Sequence, residues 1–177
     1  MLSEKMKEEF PELPEKREKT MNNHLPLLGA GPAFVGVITP ATIAALTLNH
    51  RNIIKYGDLP AFRPMFHLAG IVLILLGVLL WGLANYQCRI RENILRGNLV
   101  TTGIYGHVRN PILSGHLLAN AGLLLLACNL MLAALPLGYW IYMTILLRAT
   151  EEKWLKALHG QKYTEYCRRV NRCIPWF

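Results

Sequence analysis

Three long stretches of this sequence lack any Asp, Glu, Lys or Arg: residues 27–48, 68–84 and 112–147. A bilayer core of ~30 Å needs ~20 helical residues, so the first two stretches each predict one span. The third would be about 54 Å long as a single helix, so it predicts a hairpin, with its turn near Cys128-Asn129 or Pro136. The sequence therefore predicts an all-α integral membrane protein with about four transmembrane helices. Three helices plus a re-entrant hairpin is the alternative.

Paired metal-binding spacings are also lacking. The four cysteines, Cys88, Cys128, Cys167 and Cys173, form no C-x-x-C motif. Three of them lie in or beside regions assigned below to the cytoplasm, where disulfides are rare, so we interpret all four as packing residues or free thiols. His67 and His116 have no paired spacing that would favour haem ligation. We predict no metal site.

The first apolar stretch follows a charged segment and has no small-residue cleavage site, which argues against a removable signal peptide. We expect residues 1–25 to form a charged N-terminal arm. Residues 26–96 should hold two transmembrane helices with their connecting loop. Residues 97–177 should hold the hairpin and the C-terminal helices.

The basic residues are strongly biased to one side of this topology. With four spans, sixteen of the nineteen lysines and arginines fall on one side and three on the other. The positive-inside tendency then puts both termini and the 86–110 loop in the cytoplasm. This membrane-flanking role explains the net charge of +8, so we do not expect nucleic-acid binding.

A polar segment, LVTTGIYGHVRNPILSGHLL, stands at the beginning of the third stretch (residues 99–118). Asn110 is a good N-cap residue and Pro111 suits the first helical position, so the third helix should begin there. A helix start attracts anions, and the Arg109 guanidinium beside it is a fork-shaped donor for a carboxylate or phosphate. The alternative interpretation is a capped helix with an arginine that snorkels to the membrane surface.

A second polar cluster, RATEEKW, follows the hairpin (residues 148–154). Residues 148–159 should form a helix that ends at Gly160, and spacing i,i+4 would put Arg148 and Glu152 on one face, flanked by Glu151. An amphipathic stretch, KYTEYCRRV, should complete a cytoplasmic helical cap. Both polar clusters lie at cytoplasmic helix ends, which suggests a site where a polar cofactor meets a lipid-like substrate.

These two segments together resemble the isoprenylcysteine carboxyl methyltransferase family, whose wider group includes the integral-membrane phospholipid methyltransferases. The resemblance covers residues 97–177 and rests on two ordered motifs with the hairpin between them. The first motif is matched at Leu99, Val100, Thr101, Gly103, Tyr105, Arg109, Pro111 and Gly115. The second is matched at Arg148, Glu151, Glu152, Gly160, Tyr163, Tyr166, Arg172, Ile174 and Pro175. Asn110, Leu113 and His159 depart from the pattern, where the family usually has His, Tyr and Phe.

The resemblance implies transfer of a methyl group from S-adenosylmethionine to a hydrophobic or lipid-like acceptor, such as the carboxylate of a prenylated cysteine. It implies catalytic roles for Arg148, which would orient the acceptor, and for Glu152, the natural proton acceptor if the acceptor is an amine. Further residues would line the cofactor: Gly97, Asn98, Leu99, Val100, Tyr105, Arg109, Asn110, Pro111, Ile112, Leu113 and Glu151.

Two other functions remain open from the sequence. Membrane sterol reductases carry a similar Arg-His-Pro loop and would use NADPH, but the continuation Ile112-Leu113-Ser114 differs from theirs. A non-catalytic four-helix membrane protein could also keep the fold without the activity. The acceptor and the oligomeric state are not readable from the sequence.

Overall fold

The computed structural model describes residues 29–54, 56–87 and 99–173. Within these ranges the regular elements are helices joined by loops and short turns. Six are α-helices, numbered here α1 to α6: Gly31–His50, Arg63–Gln87, Pro111–Leu126, Leu130–Ala149, Glu151–His159 and Gln161–Arg169. Two 3-10 turns, Pro60–Phe62 and Gly103–Gly106, precede α2 and α3. The domain boundaries expected near residues 25 and 96 fall outside the described residues and stay predictions.

Three helical segments are long and apolar enough to cross a bilayer: Gly31–His50, Pro60–Tyr86 and Leu130–His159. Helix α3 is apolar but has 16 residues, which is about 24 Å of helix and short of a full hydrocarbon core. The predicted all-helical membrane architecture is therefore confirmed. A fourth complete crossing and the cytoplasmic cap stay predictions.

The outer surface of α2 is apolar. Only 11% of its most apolar window is buried inside the protein. Leu68, Leu75, Val78 and Leu79 are among its exposed side chains. An apolar surface of this extent marks a membrane or protein contact, and on a helix this long lipid is the natural cover.

Helices α2 and α3 approach each other through two pairs of glycines. A Cβ atom on Gly77 would lie 2.6 Å from the Gly115 carbonyl oxygen, and one on Gly122 would lie 2.5 Å from the Gly70 carbonyl oxygen. The glycines are seven residues apart in both helices, so the contact repeats every two turns along an antiparallel pair. Small residues allow such backbone contact between membrane helices, where van der Waals packing replaces the hydrophobic driving force.

The hairpin between α3 and α4 turns at Cys128-Asn129, one of the two predicted positions. The other, Pro136, lies inside α4. Asn129 is fully buried, and its side-chain oxygen accepts hydrogen bonds from the amides of Met131 (2.9 Å) and Leu132 (3.4 Å), which caps α4. Its amide group lies within hydrogen-bonding distance of the Asp58 carboxylate (3.0 Å) and of the Tyr56 carbonyl oxygen (3.0 Å). The turn is thereby tied to the loop between α1 and α2.

The interior of the bundle lies between α1, α3 and α4. Its fully buried side chains include Phe34 and Ile38 of α1, Leu124 of α3 and Met143 of α4. The Phe34 ring stacks on Tyr142 with 5.9 Å between ring centroids. This core holds the start of α3 at a fixed position beside the end of α4.

Replacing Gly77 by valine should destabilise the protein by about 1–3 kcal/mol, because the new side chain would overlap the backbone of α3. Gly82→Val is the matched control, since a Cβ atom there meets nothing within 4 Å. Thermal unfolding in detergent, followed by tryptophan fluorescence, measures both variants. Equal midpoints for the two would contradict the close approach of α2 and α3.

Replacing Asn129 by aspartate should destabilise the protein by about 2–3 kcal/mol, because a carboxylate cannot donate and would face that of Asp58. Adding Asp58→Asn to Asn129→Asp should restore part of this loss, since the amide then sits on the other partner. The exposed Asn52→Asp variant is the control. The same unfolding measurement decides, and an unchanged midpoint in the double variant relative to Asn129→Asp would contradict the pairing.

Candidate functional site

The two polar segments of the sequence meet in the folded chain. Val108 and Asn171 form an isolated parallel bridge, and the Arg109 amide donates to the Asn171 carbonyl oxygen at 2.8 Å. The Asn110 amide donates to the Arg172 carbonyl oxygen at 3.2 Å. The segment before α3 (residues 107–110) is therefore joined along its backbone to the C-terminal segment that follows α6 (residues 170–173).

Asn110 lies at the N-cap position of α3 and Pro111 is the first helical residue, as predicted. The Asn110 side chain does not cap the helix, however. Its amide group donates to the Arg172 carbonyl oxygen at 3.4 Å instead. The cap residue thus contributes to the junction with the C-terminal segment.

A cluster of three charged side chains lies at this junction, hereafter the Arg109–Glu152–Arg172 cluster. Arg172 donates to both oxygens of Glu152, from Nε at 2.6 Å and from a terminal nitrogen at 3.0 Å. Arg109 approaches the same carboxylate at 3.4 Å. The Glu152 side chain is 20% exposed, and its hydrogen bonds raise the pKa of Arg172 above the usual value. Two cations share one anion, so the cluster carries a net positive charge.

Arg109 keeps a buried donor that has no partner. One terminal nitrogen donates to the Cys167 sulfur at 2.6 Å, while Nε is buried and makes no hydrogen bond to the described residues. The Arg109 side chain is 10% exposed. A buried guanidinium nitrogen without an acceptor is costly, so this position suits an anionic ligand that supplies one.

Two tyrosines of α6 support the cluster from below. The Tyr166 hydroxyl donates to the Tyr105 carbonyl oxygen at 2.6 Å, which fixes the 3-10 turn before α3. Tyr163 and Tyr166 are buried with Val170, and Leu99 packs against them. Burial raises the pKa of Tyr163 above its usual range, and burial raises the pKa of the Cys173 thiol to about 11. Both side chains are neutral near pH 7.

Glu151 has different partners from Glu152. Its carboxylate accepts a hydrogen bond from the Ala30 amide at 2.6 Å and lies against Gly29, where a Cβ atom would overlap it. An acid at a helix start is favoured by the unpaired amides and the helix dipole. Glu151 therefore joins the beginning of α1 to the beginning of α5.

The prediction that Arg148 and Glu152 share one helix face is wrong, because the chain breaks between them. Helix α4 ends at Ala149 and α5 begins at Glu151, while Thr150 departs from helical geometry (φ −118°, ψ −87°). The Thr150 hydroxyl donates to the Leu146 carbonyl oxygen at 2.7 Å, a local bond that satisfies the end of α4. Arg148 is exposed and makes no ion pair with another described residue. Gly160 does end α5 with a positive φ of 54°, as expected.

The other residues predicted to line the cofactor occupy varied environments. Gly97 and Asn98 lie outside the described residues. Leu113 is buried in the core, with a Cβ atom on Gly31 3.8 Å from its side chain. The rest are half-buried or buried near the start of α3: Leu99, Val100, Tyr105, Pro111 and Ile112. Whether they contact a cofactor stays a prediction.

Sequence reasoning missed two members of this site. Arg172 was recognised only as part of the terminal motif, and Cys167 only as a packing residue or free thiol. The terminal R-x-I-P motif was the available signal for Arg172, since an arginine there has no local partner to explain it. A polar depression of about 230 Å³ also exists, lined in part by Asn49, His50 and Arg63, but it lies at the hairpin end of the bundle.

Comparison with known proteins agrees with this arrangement. The family model of the phospholipid methyltransferases matches residues 65–162, more than half of the chain. Protein-S-isoprenylcysteine O-methyltransferase B of Arabidopsis thaliana is 34% identical over 79 residues, which is 44% of this chain and 40% of that relative. The chain thus spans well under two thirds of the length of this curated relative. No solved structure matches the chain.

The match covers α2, the segment before α3, the hairpin and the helix that carries Glu152, which are the elements that form the cluster. The chain belongs to the phospholipid methyltransferase family.

Proposed function

We propose that the protein is a membrane enzyme that moves a methyl group from S-adenosylmethionine to the carboxylate of a prenylated cysteine or a similar lipophilic acid. The observation that carries this proposal is the buried, unpaired Nε of Arg109 beside a cluster of net positive charge. Family membership supports methyl transfer, and the name of the Arabidopsis relative supports this acceptor class.

The residues around the start of α3 fit the donor molecule chemically. S-adenosylmethionine has a carboxylate, which Arg109 would bind, and it supplies an electrophilic methyl group when bound. Its ammonium and sulfonium groups favour nearby acids, for which Glu151 and Glu152 are the candidates. The apolar side chains of Leu99, Val100 and Pro111 to Leu113 would pack on the adenosine, together with Tyr105 and Asn110. We assign Gly97 and Asn98 to the same binding site from the family pattern.

The engaged acids favour a carboxylate acceptor over an amine. An amine must lose a proton, and both oxygens of Glu152 already accept hydrogen bonds from Arg172. Glu151 is bound to the Ala30 amide. A carboxylate acceptor needs no general base, and the protein then contributes alignment and a dry site. Arg148, exposed and unpaired at the end of α4, would orient that carboxylate.

The same proposal sets the arrangement in the membrane. Helix α3 would cross the bilayer with its short length compensated by the polar residues before it or by local thinning. Both termini and the Arg109–Glu152–Arg172 cluster would face the cytoplasm, as the distribution of basic residues indicates. A lipophilic acceptor would then reach the site sideways from the membrane.

S-adenosylhomocysteine should bind the purified protein in detergent, and Arg109→Gln should weaken binding by about ten- to a hundred-fold, as expected for a hydrogen-bonded charge pair. Isothermal titration calorimetry measures both. Arg63→Gln, which removes an arginine at the hairpin end, should leave binding unchanged. No binding by folded wild-type protein would overturn the proposal, and binding of NADPH instead would favour the reductase alternative.

The acceptor class is tested by methyl transfer to N-acetyl-S-farnesylcysteine and, separately, to phosphatidylethanolamine in mixed micelles. We expect transfer to the farnesylated acid only. Arg148→Gln should raise KM for this acceptor by about ten-fold and leave the Kd of S-adenosylhomocysteine unchanged. Lys153→Gln, an exposed cation on the next helix, is the control. Transfer to the phospholipid amine, or an unchanged KM in Arg148→Gln, would contradict the assignment.

A further inference from the structure

Two arginines compete for one carboxylate in the Arg109–Glu152–Arg172 cluster, and the competition is unequal. Arg172 binds Glu152 with two donors, at 2.6 and 3.0 Å, whereas Arg109 approaches it with one terminal nitrogen at 3.4 Å. A carboxylate accepts one guanidinium in a two-donor geometry most favourably. Glu152 therefore has its preferred partner on the C-terminal segment.

The consequence appears on Arg109. Its Nε is the buried donor without a partner, on a side chain that is 10% exposed. The Glu152 carboxylate is the nearest anion that could satisfy this Nε, and it is held by Arg172.

We propose that Arg172 is a positioning residue that holds Glu152 away from Arg109, and so keeps the Arg109 Nε free for the carboxylate of the methyl donor. This inference rests on the proposed function, since it assigns that carboxylate to Arg109. Without Arg172, Glu152 turns to Arg109, forms the two-donor pair itself and occupies the donor that the ligand needs.

The test separates this role from a general loss of structure by comparing two ligands. S-adenosylhomocysteine carries the carboxylate, and its decarboxylated analogue keeps the amine and the adenosine. Wild-type protein should bind the first about ten-fold or more tightly than the second. In Arg172→Gln this ratio should fall toward one, because only the carboxylate contact is lost.

Two variants accompany the measurement. Arg169→Gln removes an exposed arginine of α6 and should keep the wild-type ratio. Arg172→Lys, which retains the charge but not the two-donor geometry, should give an intermediate ratio. Equal weakening of both ligands in Arg172→Gln would show that the residue only supports the fold, and an unchanged ratio would show no role at all; either result overturns the proposal.

A second readout needs no cofactor. Cys167 accepts a hydrogen bond from Arg109, so a carboxylate that moves onto Arg109 brings negative charge toward this thiol. Arg172→Gln should therefore slow alkylation of Cys167 by iodoacetamide several-fold, while the buried Cys173 stays protected. Mass spectrometry of the separate peptides measures the two rates.

A structure that merely loosens would instead speed alkylation at both cysteines, which would overturn the proposal. If wild-type protein binds neither ligand, the proposed function fails. The Cys167 rate then still decides whether Arg172 controls the Glu152–Arg109 contact.

Discussion

The Glu152 carboxylate connects three parts of the chain that are far apart in sequence. It lies on α5, directly after the membrane hairpin, and it binds Arg172 of the C-terminal segment and approaches Arg109 before α3. The backbone bridge between Val108 and Asn171 runs beside these ion pairs. Since an unpaired charge at this degree of burial is costly, removing any of the three would leave the other two uncompensated or repelling.

This polar junction depends on the apolar bundle below it. The start of α3 is fixed because Gly77 and Gly115 let α2 and α3 touch along their backbones, and because Phe34 and Met143 fill the space toward α1 and α4. At the other end of α3, the buried Asn129 sets the hairpin geometry. Since α4 leads directly into α5, the turn at Asn129 also determines where Glu152 arrives.

Local features of the sequence predicted much of this fold. The uncharged stretches located the apolar helices, Asn110-Pro111 located the start of α3, and Gly160 located the end of α5, because each depends on neighbouring residues alone. The break at Thr150 was not predicted, since RATEEKW has no Gly or Pro to mark it and the interruption rests on a threonine that bonds back to Leu146. A helical spacing argument then paired Arg148 with Glu152 wrongly.

The site was predicted in outline and missed in its pairing, for a related reason. Spacing could identify Arg109 and Glu152 as functional residues, but their contact spans more than forty positions and depends on the hairpin between them. Arg172 lies twenty residues beyond Glu152, across a glycine with positive φ and a complete helix. A sequence pattern does not specify how such a chain returns, so the partner of Glu152 emerged only from the three-dimensional structure.

The two departures from the family pattern acquire a meaning in this context. Asn110 replaces a usual histidine, and its amide donates to the Arg172 carbonyl oxygen, so the position fastens the C-terminal segment to the start of α3. Leu113 replaces a usual tyrosine and is buried in the core beside Gly31, so it joins α3 to α1. Both residues therefore stabilise the arrangement that presents Arg109, and neither brings a group that titrates near neutral pH into the cluster. Its excess positive charge is then a fixed property of the chain, which suits a site that must hold a carboxylate.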